Sequence, residues 1–327
     1  MINKLRIKAQ LGGKGLVNYN GNNPPKRFIS EMYVNGKLTK NGSFGKENIY
    51  KTTIIDKDGL EKTIETPKKI ISDNLIRKTI CGDENFINAD KLTAIPELRI
   101  SLLSQDNVLM RGFAVFKKDD YNLKRKSPLT VTHAEQISDT VTWLETRTKE
   151  GSRDENSLFF KETCGDITYE SEIFVDVKNL QFISIDDNYD RMSLKETDVE
   201  GFISKIDGRY GEGNAKFGNW GTTHLNLIGE QGIVLSNKVV ANVIRETIKR
   251  ILDINIFRSG SYAKTSSVKI ALGYDDDSID LLVEPKYVDI YSIEDYDKLV
   301  DGLEIGVDFI NIDAPTIEKV EKKPKEN

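Results

Sequence analysis

The segment Gly151-Ser152-Arg153-Asp154-Glu155-Asn156-Ser157-Leu158-Phe159-Phe160-Lys161 places two cations and two adjacent rings behind a Gly-Ser start. Such a stretch makes poor core. It suits a loop that holds a phosphate backbone and lays rings against bases. Arg153 and Lys161 are the candidates for phosphate and one ring, Phe159 or Phe160, for a base. Neighbours on a strand point to opposite sides, so one of Phe159 and Phe160 is expected to be buried. A denser group is Lys117-Lys118 with Lys124-Arg125-Lys126, Tyr121 between them and Arg111 just before. A charge run reads equally as a solvated loop or as a patch for a polyanion. Arg258, Tyr262 and Lys264, flanked by Ser and Gly, read as a backbone clamp. Lys216, Phe217 and Trp220 stand in a Gly- and Asn-rich stretch over 205–223 that reads as an aromatic-tipped arm. Lys8, Lys14, Arg77 and Lys78 complete the set of candidate cations.

No catalytic set emerges. The two histidines, His133 and His224, lie near no nucleophile motif, and with two distant cysteines, Cys81 and Cys164, they cannot build the usual Cys/His zinc site. Asp275-Asp276-Asp277 reads as a solvated turn, since consecutive residues diverge. The expectation is no enzyme, no cofactor and no metal. No apolar run approaches the roughly 20 residues that span a bilayer, and no signal-peptide pattern opens the chain. A reduced cytoplasm fits.

The net charge of −5 hides an asymmetry. From Asp275 to Asn327 there are 16 acidic and 6 basic residues, a net of −10, which leaves +5 on residues 1–274. Local charge governs phosphate binding, so the acidic balance is a weak argument against nucleic acid.

The elements that must position these residues are expected as follows. Residues 4–11 alternate as a half-buried strand with Lys4, Arg6, Lys8 and Gln10 outward, either a solvated face or a platform for a polyanion. Gly12-Gly13-Lys14-Gly15 reads as a turn. Ser30–Leu38 and Asn48–Asp56 read as arms of a hairpin, with a second turn at Asp58-Gly59, inside a polar insertion of about 18–68. Lys69–Cys81 reads as a helix, Asn107–Phe116 as a strand, and Thr132 with Glu135 as a capping box for a helix to about Arg147. Ile167–Ile185 reads as one or two strands with a turn near Lys178-Asn179. Ser236 caps an amphipathic helix with Val240, Ile244, Ile248 and Ile251 on one face, and Ser267–Tyr274 is the final strand. The order gives β-α-β…β-α-β, an α+β, ferredoxin-like or RNA-recognition-motif (RRM) core. The tail Glu318–Asn327 reads as disordered.

Several features carry a resemblance: Lys8-Ala9, Gly15-Leu16-Val17-Asn18-Tyr19-Asn20-Gly21, Glu65-Thr66-Pro67, Ile76-Arg77, Arg111-Gly112, Lys124-Arg125 with Ser127-Pro128-Leu129, the Arg153 loop with Phe159-Phe160, Gly165-Asp166, and Leu180-Gln181-Phe182-Ile183-Ser184. In this order and spacing the chain resembles the Cas-seven family of RAMP proteins, the backbone subunit of the variant type I-F CRISPR Cascade surveillance complex, over most of residues 5–275. The acidic segment after about Asp275 exceeds the family pattern. The resemblance implies a modified RRM palm with inserted fingers and thumb: a palm over 1–275, a hairpin insertion at about 18–68, a finger region at about 100–165, a glycine-rich arm at about 203–230, and an acidic segment over 276–327. The thumb is either the 24–60 hairpin or Lys205–Trp220.

It further implies a CRISPR RNA-binding subunit that lines up head to tail with its own copies along the guide and presents bases for pairing with target DNA. Cas-five-like and Cas-six-like subunits would close the ends, and a recruited helicase-nuclease would cut. Two alternatives stay open. One is a type III-like backbone that cleaves target RNA with a loop Asp and a divalent cation. The other is a structural filament protein without RNA.

Overall fold

In the computed structural model, the described residues are 1–18, 33–34, 37–38, 49–55, 60–67, 70–82, 96–117, 121–137, 142–149, 158–185, 192–222, 229–258, 261–274, 281 and 284–312. Alternation at the amino end produces β1 (Ile2–Asn18). Leu5, Ile7, Ala9 and Leu11 are buried, as their period of two requires. The strand does not turn at Gly12-Gly13, as expected, but runs on to Asn18. The glycines serve a close approach instead: a Cβ on Gly13 would collide with the Tyr262 carbonyl of a neighbouring strand.

Next come a short hairpin, β2 (Tyr33–Val34) and β3 (Lys37–Leu38), then β4 (Ile49–Ile55), β5 (Glu61–Pro67) and β6 (Ile70–Ile71). The expected pairing of the Ser30–Leu38 and Asn48–Asp56 arms is replaced: β4 pairs antiparallel with β5, and β2 with β3. Helix α1 (Asp73–Cys81) begins later than predicted because Ser72 caps it, its Oγ accepting from Leu75 N at 3.3 Å.

Helices α2 (Pro96–Leu103) and α3 (Asp106–Arg111) precede β7 (Phe113–Lys117) and β8 (Tyr121–Arg125). The strand expected over Asn107–Phe116 is therefore a helix and a strand. Val108, Leu109, Met110 and Arg111 are all buried in succession, and Gly112 at φ 71° breaks the helix.

Strands β9 (Leu129–Val131), β10 (Ala134–Gln136) and β11 (Thr142–Lys149) replace the helix expected from Thr132 to Arg147. The Thr132 hydroxyl accepts from Glu172 N at 2.9 Å rather than capping a helix. The long β12 (Leu158–Asp176) templates all three strands by antiparallel pairing. It leads into α4 (Val177–Gln181) and β13 (Phe182–Ser184), matching the expected strands with a turn near Lys178.

The stretch read as an arm is built structure: α5 (Val199–Tyr210), a turn with Gly211 at φ 101° and Gly213 at φ 80°, and β14 (Ala215–Thr222). Strand β15 (Glu230–Leu235) leads to α6 (Asn237–Leu252), where the Ser236 Oγ accepts from Val239 N at 3.3 Å, as predicted. Its Val240, Ile244, Ile248 and Ile251 are buried. Strands β16 (Asn255–Arg258) and β17 (Ser261–Tyr274) follow. The last is not the final strand. Beyond it lie β18 (Val288–Ile290), α7 (Ile293–Leu299) and β19 (Phe309–Asn311), with Tyr296 and Ile305 in the core.

The architecture is α+β. One sheet runs β16-β17-β1-β12-β11-β4-β5, with β9 and β10 also on β12, β6 on β10 and β18 on β17. A four-stranded sheet runs β13-β15-β14-β19. The core lies between the inner face of β1, β12 and β17 and helices α1, α3 and α6.

Candidate nucleic-acid interface

Gly112 turns the chain from α3 into β7, and β8 returns beside it with Lys124 opposite Ala114 and Arg125 opposite Phe113. Alternation along β8 sends Leu123 and Arg125 inward and Lys124 outward, with Lys126 also exposed just past the strand. The base of this hairpin is anchored: Lys124 N donates to Met192 O at 2.8 Å, and Ser193 Oγ donates to Lys124 O at 3.1 Å. On the facing element, Asp176 caps α4, its Oδ1 accepting from Asn179 N at 3.0 Å, and this fixes Lys178.

These pieces enclose a cleft of about 750 Å3. Arg77, Arg111, Lys124, Arg125, Lys126 and Lys178 line it, with Phe113 and Phe182 as aromatic walls and Glu230 as the one carboxylate among the described lining residues. Among the described residues, six cations against one carboxylate make a concave, positive surface of the kind that suits a phosphate backbone.

The cations do not act alike. Arg125 is only 5% exposed. Its Nε donates to Leu109 O at 3.3 Å, Nη1 to Phe182 O at 3.1 Å, and Nη2 to Asn179 O at 2.9 Å and Leu180 O at 3.0 Å. Burial pushes its guanidinium down to about 10, so it stays charged at neutral pH. Arg125 therefore brackets α3, α4 and β13 together, and the expectation that it meets RNA is withdrawn. Arg111 is also buried, its Nη1 donating to Gly82 O at 2.5 Å and bracing the end of α1. Arg77 has a buried Nε with no hydrogen-bond partner among the described residues.

Of the remaining candidates, those whose side chains are described do not line the cleft. Lys8 sits on the outer sheet face, 3.6 Å from Glu170 and 3.8 Å from Glu172. Arg6 grips Glu172 at 2.8 Å and 2.9 Å, and Gln10 donates to Glu170 at 3.0 Å. The row of positive charge read from β1 is thus met by carboxylates of β12, which is a correction. The cause is strand register, which sequence alternation does not contain.

Lys78 and Lys264 are exposed. Lys216 and Phe217 are exposed on β14, while the Trp220 indole lies across Gly218, where a Cβ would come within 3.2 Å of the ring. Lys14, Phe160, Lys161 and Arg258 hold strand register positions opposite Asp166, Arg147, Thr146 and Ser261, but their side chains lie outside what is described. Arg153 and its loop lie outside the described residues. The cation missed from sequence is Lys178; the Asp176–Asn179 capping pattern was its available signal.

Among the described residues, no group of three or more His, Cys, Asp or Glu is placed to hold a metal ion. His133 Nδ1 accepts from Asp73 N at 3.2 Å, beside the start of α1. Among the described residues, no helix is long and apolar enough to cross a membrane.

The profile of type I-Fv CRISPR-associated proteins described as Cas7fv-like matches residues 2–295. The chain belongs to the Cas7fv-like family. The family read from the order of the sequence motifs is the correct one. Two solved structures are similar to this Cas7fv-like chain. One is a chain titled CRISPR RNA-guided surveillance complex, 11% identical, covering 91% of this chain and 81% of that one, with a TM-score of 0.34. The other, titled CRISPR RNA-guided surveillance complex, pre-nicking, is 10% identical and covers 96% and 92%, with a TM-score of 0.34. No curated protein matches. The family match ends inside α7, so in this Cas7fv-like chain β19 lies beyond it.

Proposed function

We propose that this Cas7fv-like chain is a CRISPR RNA-binding backbone subunit of a type I-F variant surveillance complex. The observation that carries the reading is the cleft at the base of the β7–β8 hairpin, lined by exposed Lys124, Lys126 and Lys178 between Phe113 and Phe182; in this reading the guide backbone runs along these lysines. Such contacts neutralise phosphates without reading sequence, and base pairing with target DNA supplies the specificity. Copies line up head to tail along the guide, with Cas-five-like and Cas-six-like subunits at the ends and a recruited helicase-nuclease for cutting; the subunit itself performs no chemistry.

The strand order β17-β1-β12 with β9 and β10 beyond it, and helices α1 and α6 over the inner face, supports an RRM-like palm. Lys205–Trp220 is built into α5 and β14, so the 24–60 hairpin is the better thumb.

The test is co-expression with a CRISPR array, followed by sequencing of the RNA that co-purifies. Repeat-flanked spacers are expected; random transcripts or none would overturn the reading. The triple variant Lys124→Glu, Lys126→Glu, Lys178→Glu should retain at least about tenfold less RNA and lower the salt slope by about 2. Cuts at regular spacing in complementary RNA with magnesium would instead show an enzyme.

A further inference from the structure

The outer face of the large sheet is covered at one end and open at the other. At the covered end, Arg6 Nη1 donates to Leu281 O at 3.0 Å, Lys8 Nζ stands 5.3 Å from the Tyr287 ring, and Lys269 pairs with Asp289 at 3.5 Å. The open end is the β16–β17 hairpin. Phe257 and Tyr262 are register partners there, with ring centroids 6.3 Å apart and planes at 41°. Phe257 is 73% exposed, whereas Ile256 and Ala263, at the alternate positions, are buried. The hairpin packs its inner side and presents an aromatic pair that the core does not use.

Asn255 and Lys264, also register partners, are exposed on the same outer side. On β1, Gly12 stands opposite Lys264, and Lys14 stands opposite Tyr262. Lys264 and the register position of Lys14 lie on this side, whereas Arg258 alternates to the side of Ile256.

We propose that this end of the sheet is a second contact for single-stranded nucleic acid, separate from the cleft. One base lies against the Phe257–Tyr262 pair, and the adjoining phosphate meets Lys264, with Lys14 at a neighbouring register position. Rings beside an exposed lysine fit a polyanion with flat bases. An apolar protein surface would leave this charge uncompensated. The proposal shares the ligand class of the function above but none of its cleft residues.

Binding of the full-length chain to fluorescein-labelled single-stranded RNA and DNA of one mixed sequence tests it. Phe257→Ala should weaken binding about tenfold, the scale of one stacked base, with an unchanged salt slope. Phe257→Trp should restore it, and Lys264→Glu should weaken binding with a lower slope. Oligonucleotides carrying 5-iodouracil should cross-link to the peptide bearing Phe257 or Tyr262, in the cleft triple variant as well as in the wild type. Loss confined to the RNA arm assigns a guide contact, and equal loss in both arms assigns the site to any single strand. Wild-type binding by Phe257→Ala without a cross-link would overturn the proposal. So would unchanged binding with an altered sedimentation coefficient, which would make the hairpin a protein contact. A cross-link lost in the cleft variant would overturn the proposal as well, whereas full RNA retention by the cleft variant would overturn the function above and leave this contact standing.

Discussion

Lys124 and Arg125 are consecutive on β8 and lie on opposite sides of it. Lys124 is exposed at the cleft, and Arg125 is buried with its guanidinium shared among the carbonyls of Leu109, Asn179, Leu180 and Phe182. Two like charges in sequence therefore have unlike duties. Lys124→Glu should change stability by no more than about 0.5 kcal/mol. Arg125→Ala should cost about 3 kcal/mol or more, because buried carbonyls lose their donors. Arg125→Lys should not rescue it, since one ammonium cannot reach the same set. Urea unfolding of the three variants checks the order.

Gly112 holds the turn that brings α3 and β8 to the same cleft. Its φ is 71°, and a Cβ would stand 2.5 Å from Arg125 O and 2.6 Å from Ser127 N. Gly112→Ala should cost about 3 kcal/mol, combining the left-handed backbone with overpacking. RNA retention should fall with it, because the displaced atoms belong to β8 itself. A melting curve paired with the absorbance ratio of the purified protein measures both effects.

A buried ion pair joins α2 to the turn before α5. Arg99 Nε and Nη2 donate to Asp198 at 2.6 and 2.7 Å, at 4% and 2% exposure. Removing one partner strands a buried charge, so Asp198→Ala should cost about 3–5 kcal/mol. Arg99→Met with Asp198→Leu should cost far less than either single change, since no charge is left unpaired. A double-mutant cycle in denaturant distinguishes the cases.

The Cys81 thiol is pushed up to about 11 by burial, against the opposing pull of Arg250, Arg111 and Arg77. The folded chain holds this proton more tightly than the unfolded chain, whose thiol titrates near 9.0. Stability from this group is complete below about pH 9 and is lost as pH rises toward 11. Cys81→Ala should flatten the decline in unfolding midpoint over that window. In a Cys164→Ser background, a thiol reagent should label Cys81 only once denaturant unfolds the chain.

Local patterns were legible wherever one element partitions itself between core and solvent. Strand β1 and helix α6 read correctly because Leu5, Ile7 and Val240, Ile244 each repeat at the period of their own element. The misread elements owe their form to partners distant in sequence. Residues 142–149 become a strand because β12 offers them a ladder, and 106–111 become a helix because all sides of its last turn are covered. The Gly-rich stretch over 205–223 looked like an arm, yet Gly211 and Gly213 shape one turn and its other glycines lie within α5 and β14.

Residue chemistry and order along the chain settled the family and named five of the six cations that line the cleft. Those are properties of composition and spacing, which a linear chain carries. Tertiary structure decided which cations face outward. Arg125 turns inward to bind carbonyls, Lys8 is paired with Glu170 and Glu172, and Lys178 joins Lys124 and Lys126 across the cleft. The reason is physical. A side chain's charge is a property of its residue, but its partner and exposure depend on strand register and on packing between elements far apart in sequence.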